Sequence, residues 1–150
     1  MSTNGHVIID GFNIIHAWPT FRPLLKRGLD VAAGRLLDAV RILHDFEGNA
    51  LTIVFDGQGS TISINHPEEL TSLTLVYSPA GTTADTIIER LLARAPSAAD
   101  WVVASGDGAI AQSALSYGAR AMSPQALADW CAEAEQRQSA WIRRRSKDVD

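Results

Sequence analysis

Four aspartates stand where short apolar runs stop or where a helical pattern begins. Val7-Ile8-Ile9 ends in Asp10-Gly11, Leu51-Thr52-Ile53-Val54-Phe55 ends in Asp56-Gly57, and Trp101-Val102-Val103-Ala104-Ser105 ends in Gly106-Asp107-Gly108. Asp85 follows Thr82-Thr83 at the start of an amphipathic segment, and Glu89 lies four residues on, one turn further along the same helix face. Carboxylates gathered in one cleft repel one another, which raises their pKa values or destabilises the fold unless a cation sits among them. An all-oxygen donor set without His or Cys suits Mg²⁺ or Mn²⁺. Such an ion lowers the pKa of a bound water and neutralises charge developing on a phosphodiester.

Each acid also has an ordinary structural explanation. Asp10-Gly11 and Asp56-Gly57 are turn dipeptides, Asp107 can start a helix, and Asp85 stands three residues after Thr82 in near capping-box spacing. What shifts the balance is their shared placement. The runs at 6–10, 50–55 and 101–105 read as buried strands, joined by a third at Leu73–Tyr77 and a brief fifth at 119–122 in chain order. Between them lie helical patterns: one from Asp30 to Phe46, stopped by Gly48-Asn49; one capped by Thr82 or Thr83 and running to Ala95; one from Gly108 to Tyr117, closed by Gly118; and a last one opened by Ser123-Pro124. The alternation predicts a three-layer α/β domain with a mostly parallel sheet, its carboxylates along the C-terminal edge where open α/β sheets bind ligands. The stretch after Asp56, to about residue 72, reads as a loop or an irregular hairpin. Residues 1–6 read as a short leader.

At 150 residues the chain is long enough for one domain with a full core, and 46% apolar against 20% charged residues is the balance of a soluble globular protein. No apolar run approaches a membrane span and no secretory pattern opens the chain, so a cytoplasmic location without a membrane partner is expected. The single cysteine, Cys131, excludes an internal disulfide and a cysteine-based zinc cluster. It falls in the i, i+3, i+4, i+7 pattern of Leu127, Trp130, Cys131 and Ala134 and is expected in the core. A net charge of −4 provides no global attraction to nucleic acid. Only Arg143-Arg144-Arg145-Ser146-Lys147 forms a basic run, either a solvated tail or helix end over about residues 143–150 or a phosphate-contacting arm.

The blocks Ile8-Ile9-Asp10-Gly11-Phe12-Asn13-Ile14-Ile15-His16-Ala17-Trp18-Pro19, Val54-Phe55-Asp56-Gly57, Thr83-Ala84-Asp85-Thr86-Ile87-Ile88-Glu89 and Val103-Ala104-Ser105-Gly106-Asp107 resemble, in order and over nearly the whole chain, the YacP-type branch of the NYN family of PIN-like nucleases. The resemblance implies a PIN-like (Rossmann-like) sheet of order 3-2-1-4-5 and a Mg²⁺- or Mn²⁺-dependent endoribonuclease. Asp10, Asp85 and Asp107 would be its core, metal-binding acids, with Asn13 and Asp56 beside them. The implied partner is RNA, with mRNA, rRNA and tRNA in a structured or ribosomal context all open. The sequence departs from that pattern in two places: Asn65-His66-Pro67-Glu68-Glu69 is acidic where basic RNA contacts are expected, and Phe12 stands where the family often has Tyr.

Around these acids, Asn13 is either a turn residue or an active-site amide, and Ser105 either a strand-end serine or a carboxylate partner. His16 reads first as a buried, hydrogen-bonded histidine and Trp18 first as packing. Arg22, Lys26, Arg27 and Arg35, with the Arg143–Arg145 run, are the candidates for phosphate contacts. A dehalogenase-type phosphatase needs an acid two residues after the first Asp, where Phe12 stands, and a receiver domain needs an acidic pair and a strand-end Lys that are absent. The remaining alternative to the nuclease is an inactive PIN-like RNA-binding module, for which four mutually repelling acids would serve no purpose.

Overall fold

The computed structural model describes residues 5–149, so residues 1–4 of the expected leader lie outside the described residues. In chain order it contains β1 (His6–Asp10), α1 (Gly11–Ala17), α2 (Leu29–Val40), α3 (Ile42–Asp45), β2 (Ala50–Phe55), β3 (Ser63–Asn65), β4 (Leu73–Tyr77), α4 (Ala84–Arg94), β5 (Trp101–Ala104), α5 (Gly108–Ser116), β6 (Arg120–Met122) and α6 (Pro124–Val149). Short 3₁₀ turns occupy Arg22–Arg27, Pro67–Glu69 and Ala98–Asp100.

Among the described residues the strands form one sheet of order β3-β4-β2-β1-β5-β6. The five parallel strands follow the expected order, and β3 is added antiparallel at the edge beside β4. This addition comes from the stretch read as a loop or irregular hairpin. All three of its residues are exposed, so it carries none of the burial pattern by which a strand is recognised. β1 sits in the middle because its residues Val7 to Ile9 are apolar on both faces, as a strand covered by helices on both sides must be.

The pleat sorts these residues into two cores. Val7, Ile9, Leu51, Ile53 and Phe55 pack under α1, α2, α3 and α6, meeting Ile14, Leu36, Leu43, Leu127 and Trp130. Ile8, Val54, Val76 and Val103 point the other way and meet Ile87, Ile88 and Ile110 of α4 and α5. Each fully buried Ile or Leu contributes about 1.5–3 kcal/mol, so both layers are firmly fixed. Cys131 is buried in the first core, as expected.

Two boundaries differ from the sequence reading. The first long helix divides at Arg41 into α2 and α3. The basic run 143–147 forms the exposed final turns of α6, a helix of 26 residues, which is the helix end the sequence offered; the helix runs further than its opening at Ser123-Pro124 alone defined. No helix among the described residues is long and apolar enough to cross a membrane.

Candidate active site

Register and pleat together bring the acids to one place. β1, β2 and β5 start level, with His6 opposite both Ala50 and Trp101, and end within two residues of one another at the C-terminal edge. Asp10 has the same parity as Ile8, and Asp56 the same as Val54, so both side chains leave the sheet on the face covered by α4 and α5. Asp85 lies in the first turn of α4, and Asp107 is the N-cap of α5.

Asp10 is the buried member of the group, only 7% exposed. Its Oδ2 accepts a hydrogen bond from Ser105 Oγ at 2.8 Å, and Ser105 Oγ in turn accepts from the Asp107 backbone N–H at 3.0 Å. The Asp10 carboxyl is raised to about 6: burial pushes it up most, the Ser105 bond pulls it partly back, and Asp85, Asp56 and Asp107 add to the rise. Asp85, half-buried, is raised for the same first reason and then by Asp107, Asp56 and Glu89. The carboxylates therefore feel one another across a shared cleft, and the expected repulsion is present.

The remaining candidates hold the frame. Asp56 Oδ1 accepts from the Ala84 N–H at 2.8 Å, tying the end of β2 to the first turn of α4 and so fixing where Asp85 emerges. Thr83 is the residue that caps α4, accepting from the Thr86 N–H. Asp107 Oδ1 accepts from the Ala109 N–H at 2.9 Å. Glu89 accepts from Ser113 Oγ at 3.0 Å, clamping α4 to α5. Asn13 is no local turn residue: its Oδ1 accepts from the Gly106 N–H at 2.6 Å, bridging α1 to the loop after β5. Its Nδ2 has no partner among the described residues.

The glycines of the two Asp-Gly pairs have a different role from the one the sequence suggests. Gly11 opens α1 directly and Gly57 keeps φ outside the left-handed region, so neither is there for a turn that requires positive φ. A Cβ on Gly11 would fall inside the Phe55 ring, and one on Gly57 would collide with the Ser78 carbonyl oxygen. These positions need glycine because something else packs there.

Other expectations are corrected. His16 is exposed, not buried, and contributes its carbonyl to Arg22 Nε at 3.0 Å. Trp18 does pack, against Phe21, with its Nε1–H donated to the Pro124 carbonyl at 2.9 Å. Arg22, Lys26, Arg27 and Arg35 are exposed on the α1/α2 side, and none forms an ion pair with Asp10, Asp56, Asp85 or Asp107 among the described residues. Glu68 and Glu69 lie at the opposite edge of the sheet: β3 runs downward, pairing Ser63 with Tyr77 and Asn65 with Leu75, before the chain reaches them. There Glu68 pairs with Arg41 at 3.1 Å, so the acidic segment does not face the carboxylate cleft. Ser105, which the sequence left between two readings, proves to be the residue that orients Asp10.

The YacP-like NYN domain profile matches residues 7–149. The chain belongs to that family. Its members are PIN-like nucleases, so the fold and the carboxylate edge have a common context. Two crystal structures of Rae1 (YacP) from Bacillus subtilis, one of them a point mutant, share the fold. The mutant aligns with a TM-score of 0.77 and 23% identity, over 94% of this chain and 82% of that one. The other aligns at 0.75 and 22%, over 99% and 84%. No curated protein matches the sequence.

Proposed function

We propose that the chain is a Mg²⁺- or Mn²⁺-dependent endoribonuclease. The observation that carries this reading is the convergence of Asp10, Asp56, Asp85 and Asp107 on one cleft, where burial and mutual repulsion hold Asp10 at about 6. Among the described residues no three His, Cys, Asp or Glu side chains are close enough to grip one ion together. Mg²⁺ keeps several of its waters and is bound through one or two carboxylates, so a bound ion would be held here partly through water. The donor set is all oxygen, and a cation would remove the repulsion that the fold otherwise retains. Asp10, Asp85 and Asp107 are the residues to hold it, directly or through water. When bound, the ion supplies an activated water and charge neutralisation at the phosphate.

The chain's own residues do the positioning. Ser105 fixes one oxygen of Asp10 and leaves the other to the cleft. Asp56 sets the start of α4, so that Asp85 enters from the helix N-terminus. Asn13 locks the β5 loop through its carbonyl oxygen and keeps its NH₂ as a donor for a non-bridging phosphate oxygen. Arg22, Lys26 and Arg35 are the phosphate contacts on the near side and Arg143–Arg145 those on the far arm. Family membership supports RNA as the partner, with mRNA, rRNA and tRNA all open.

The test is single-turnover cleavage of several structured RNAs, at saturating enzyme and with Mn²⁺, by wild type and Asp85→Asn. The variant should be slower by orders of magnitude yet bind RNA at least as well, since one negative charge facing the backbone is gone. Equal rates would remove Asp85 from the mechanism. Absence of cleavage by wild type on every RNA would favour the inactive binding module.

A further inference from the structure

The second half of α6 leaves the body of the domain and carries an unusual concentration of charge. Between Gln136 and Lys147 there are five cations, Arg137, Arg143, Arg144, Arg145 and Lys147, and no Asp or Glu, in a chain whose net charge is −4. One helix face of this segment, Arg137, Ala140, Trp141 and Arg144, closes with Phe46 around a groove of about 450 Å³. Arg137 is anchored there by an ion pair with the buried Glu47. Trp141 is 44% exposed, with the Arg145 guanidinium over its ring at 5.1 Å from the centroid. The groove therefore has an aromatic wall on each side and guanidinium groups at two levels of the helix, about 10 Å apart along its axis.

An apolar peptide would leave the Arg144 guanidinium without a charged partner, and an acidic one would leave the rings unused. A nucleotide uses both, because its base has a π-face that stacks on any aromatic ring and its phosphate takes a guanidinium. The groove is also far from the carboxylates. Pro124 lies beside Gly106 at the catalytic edge, and Trp141 is seventeen residues further along α6, about 25 Å away at 1.5 Å per residue. We propose that the groove between Phe46 and Trp141 is a remote single-stranded RNA site, which holds one unpaired base on Trp141 and its phosphate on Arg144 while the scissile bond lies at the carboxylate cleft. This rests on the RNA reading above and goes beyond it, since it separates the place that grips from the place that cuts.

The experiment measures binding of a fluorescent 15-nucleotide single-stranded RNA by anisotropy in EDTA, where cleavage plays no part. Trp141→Ala should weaken binding about tenfold without changing its salt dependence, and Trp141→Phe should restore most of the loss. Arg144→Gln should weaken binding and make the salt dependence shallower by about one counterion. A 4-thiouridine in the same RNA should cross-link to the peptide carrying Trp141. Unchanged binding by Trp141→Ala, with no cross-link to residues 137–145, would overturn the proposal while leaving the nuclease reading intact. A loss with Arg144→Gln but none with Trp141→Ala would reduce the groove to a phosphate patch and overturn the base site. Wild type that binds no RNA under any salt condition would remove the site and the RNA reading together.

Discussion

Replacing Asp10 by asparagine should make the metal-free protein more stable, although Asp10 is the central acid of the site. Its carboxyl is raised from 3.8 to about 6, so near neutral pH the fold holds an ionised group in a place that disfavours the charge. A shift of about two pH units corresponds to roughly 3 kcal/mol at 1.36 kcal/mol each. With the group only 7% exposed, solvent does little to reduce it. The amide gives some of this back: it accepts a weaker, neutral hydrogen bond from Ser105, and its NH₂ must find a partner among the neighbouring carboxylates. A net gain of about 1–2 kcal/mol remains, or roughly 5 °C in Tm for a domain of this size. The pH dependence gives the sign. The folded pKa lies above the unfolded one, so protonated Asp10 contributes stability that is fully present below about pH 4 and lost as pH rises through about 6. Thermal melts of wild type and Asp10→Asn in EDTA should therefore find the variant about 1–2 kcal/mol less stable near pH 4, where Asp10 is protonated, cross between pH 4 and 6, and find it the more stable protein at pH 7.5. A difference that is constant with pH, or a less stable variant at pH 7.5, would refute the electrostatic account of the site.

Three further outcomes follow from the same geometry. Millimolar Mg²⁺ or Mn²⁺ should raise the Tm of wild type but not of Asp10→Asn, and ligand at a hundred times its Kd is worth about 2.7 kcal/mol; identical metal responses in differential scanning fluorimetry would count against the site. Ser105→Ala removes the bond that lowers the Asp10 pKa, so in EDTA the stability inflection should move to higher pH, and a shift to lower pH would contradict the assigned contact. Burial, helped by Glu135, pushes the Cys131 thiol up to about 12; iodoacetamide at pH 8 should label it only after denaturation, and rapid labelling of native protein would place it outside the core.

The strands and helices that form the site were readable because each is a short apolar run or a 3.6-residue pattern ended by Asp, Gly or a cap, and both signals are local. Val7–Ile9, Thr83 and Ser123-Pro124 belong to this class. What escaped depends on contacts between distant parts of the chain. The bond from Ser105 to Asp10 spans 95 positions and that from Asn13 to Gly106 spans 93, so composition and spacing left both residues between two readings. Gly11 and Gly57 looked like turn residues because the packing of Phe55 and Ser78 against them cannot be seen along the chain. β3 was invisible for the opposite reason: an exposed edge strand of three residues has almost no pattern to read.

Among the described residues Arg137 is the last side chain by which α6 is tied to the rest of the domain through an ion pair, and every residue from Trp141 to Asp148 is exposed. A helix shorter than about 12–15 residues is marginal in water on its own, so the turns beyond Arg137 rely on propagation from the buried half. Amide protons there should exchange progressively faster toward Val149, because each further turn opens at smaller cost. Unwinding of the arm at its end would leave the carboxylate edge undisturbed, and whatever grips the arm would also lengthen the helix that stays wound.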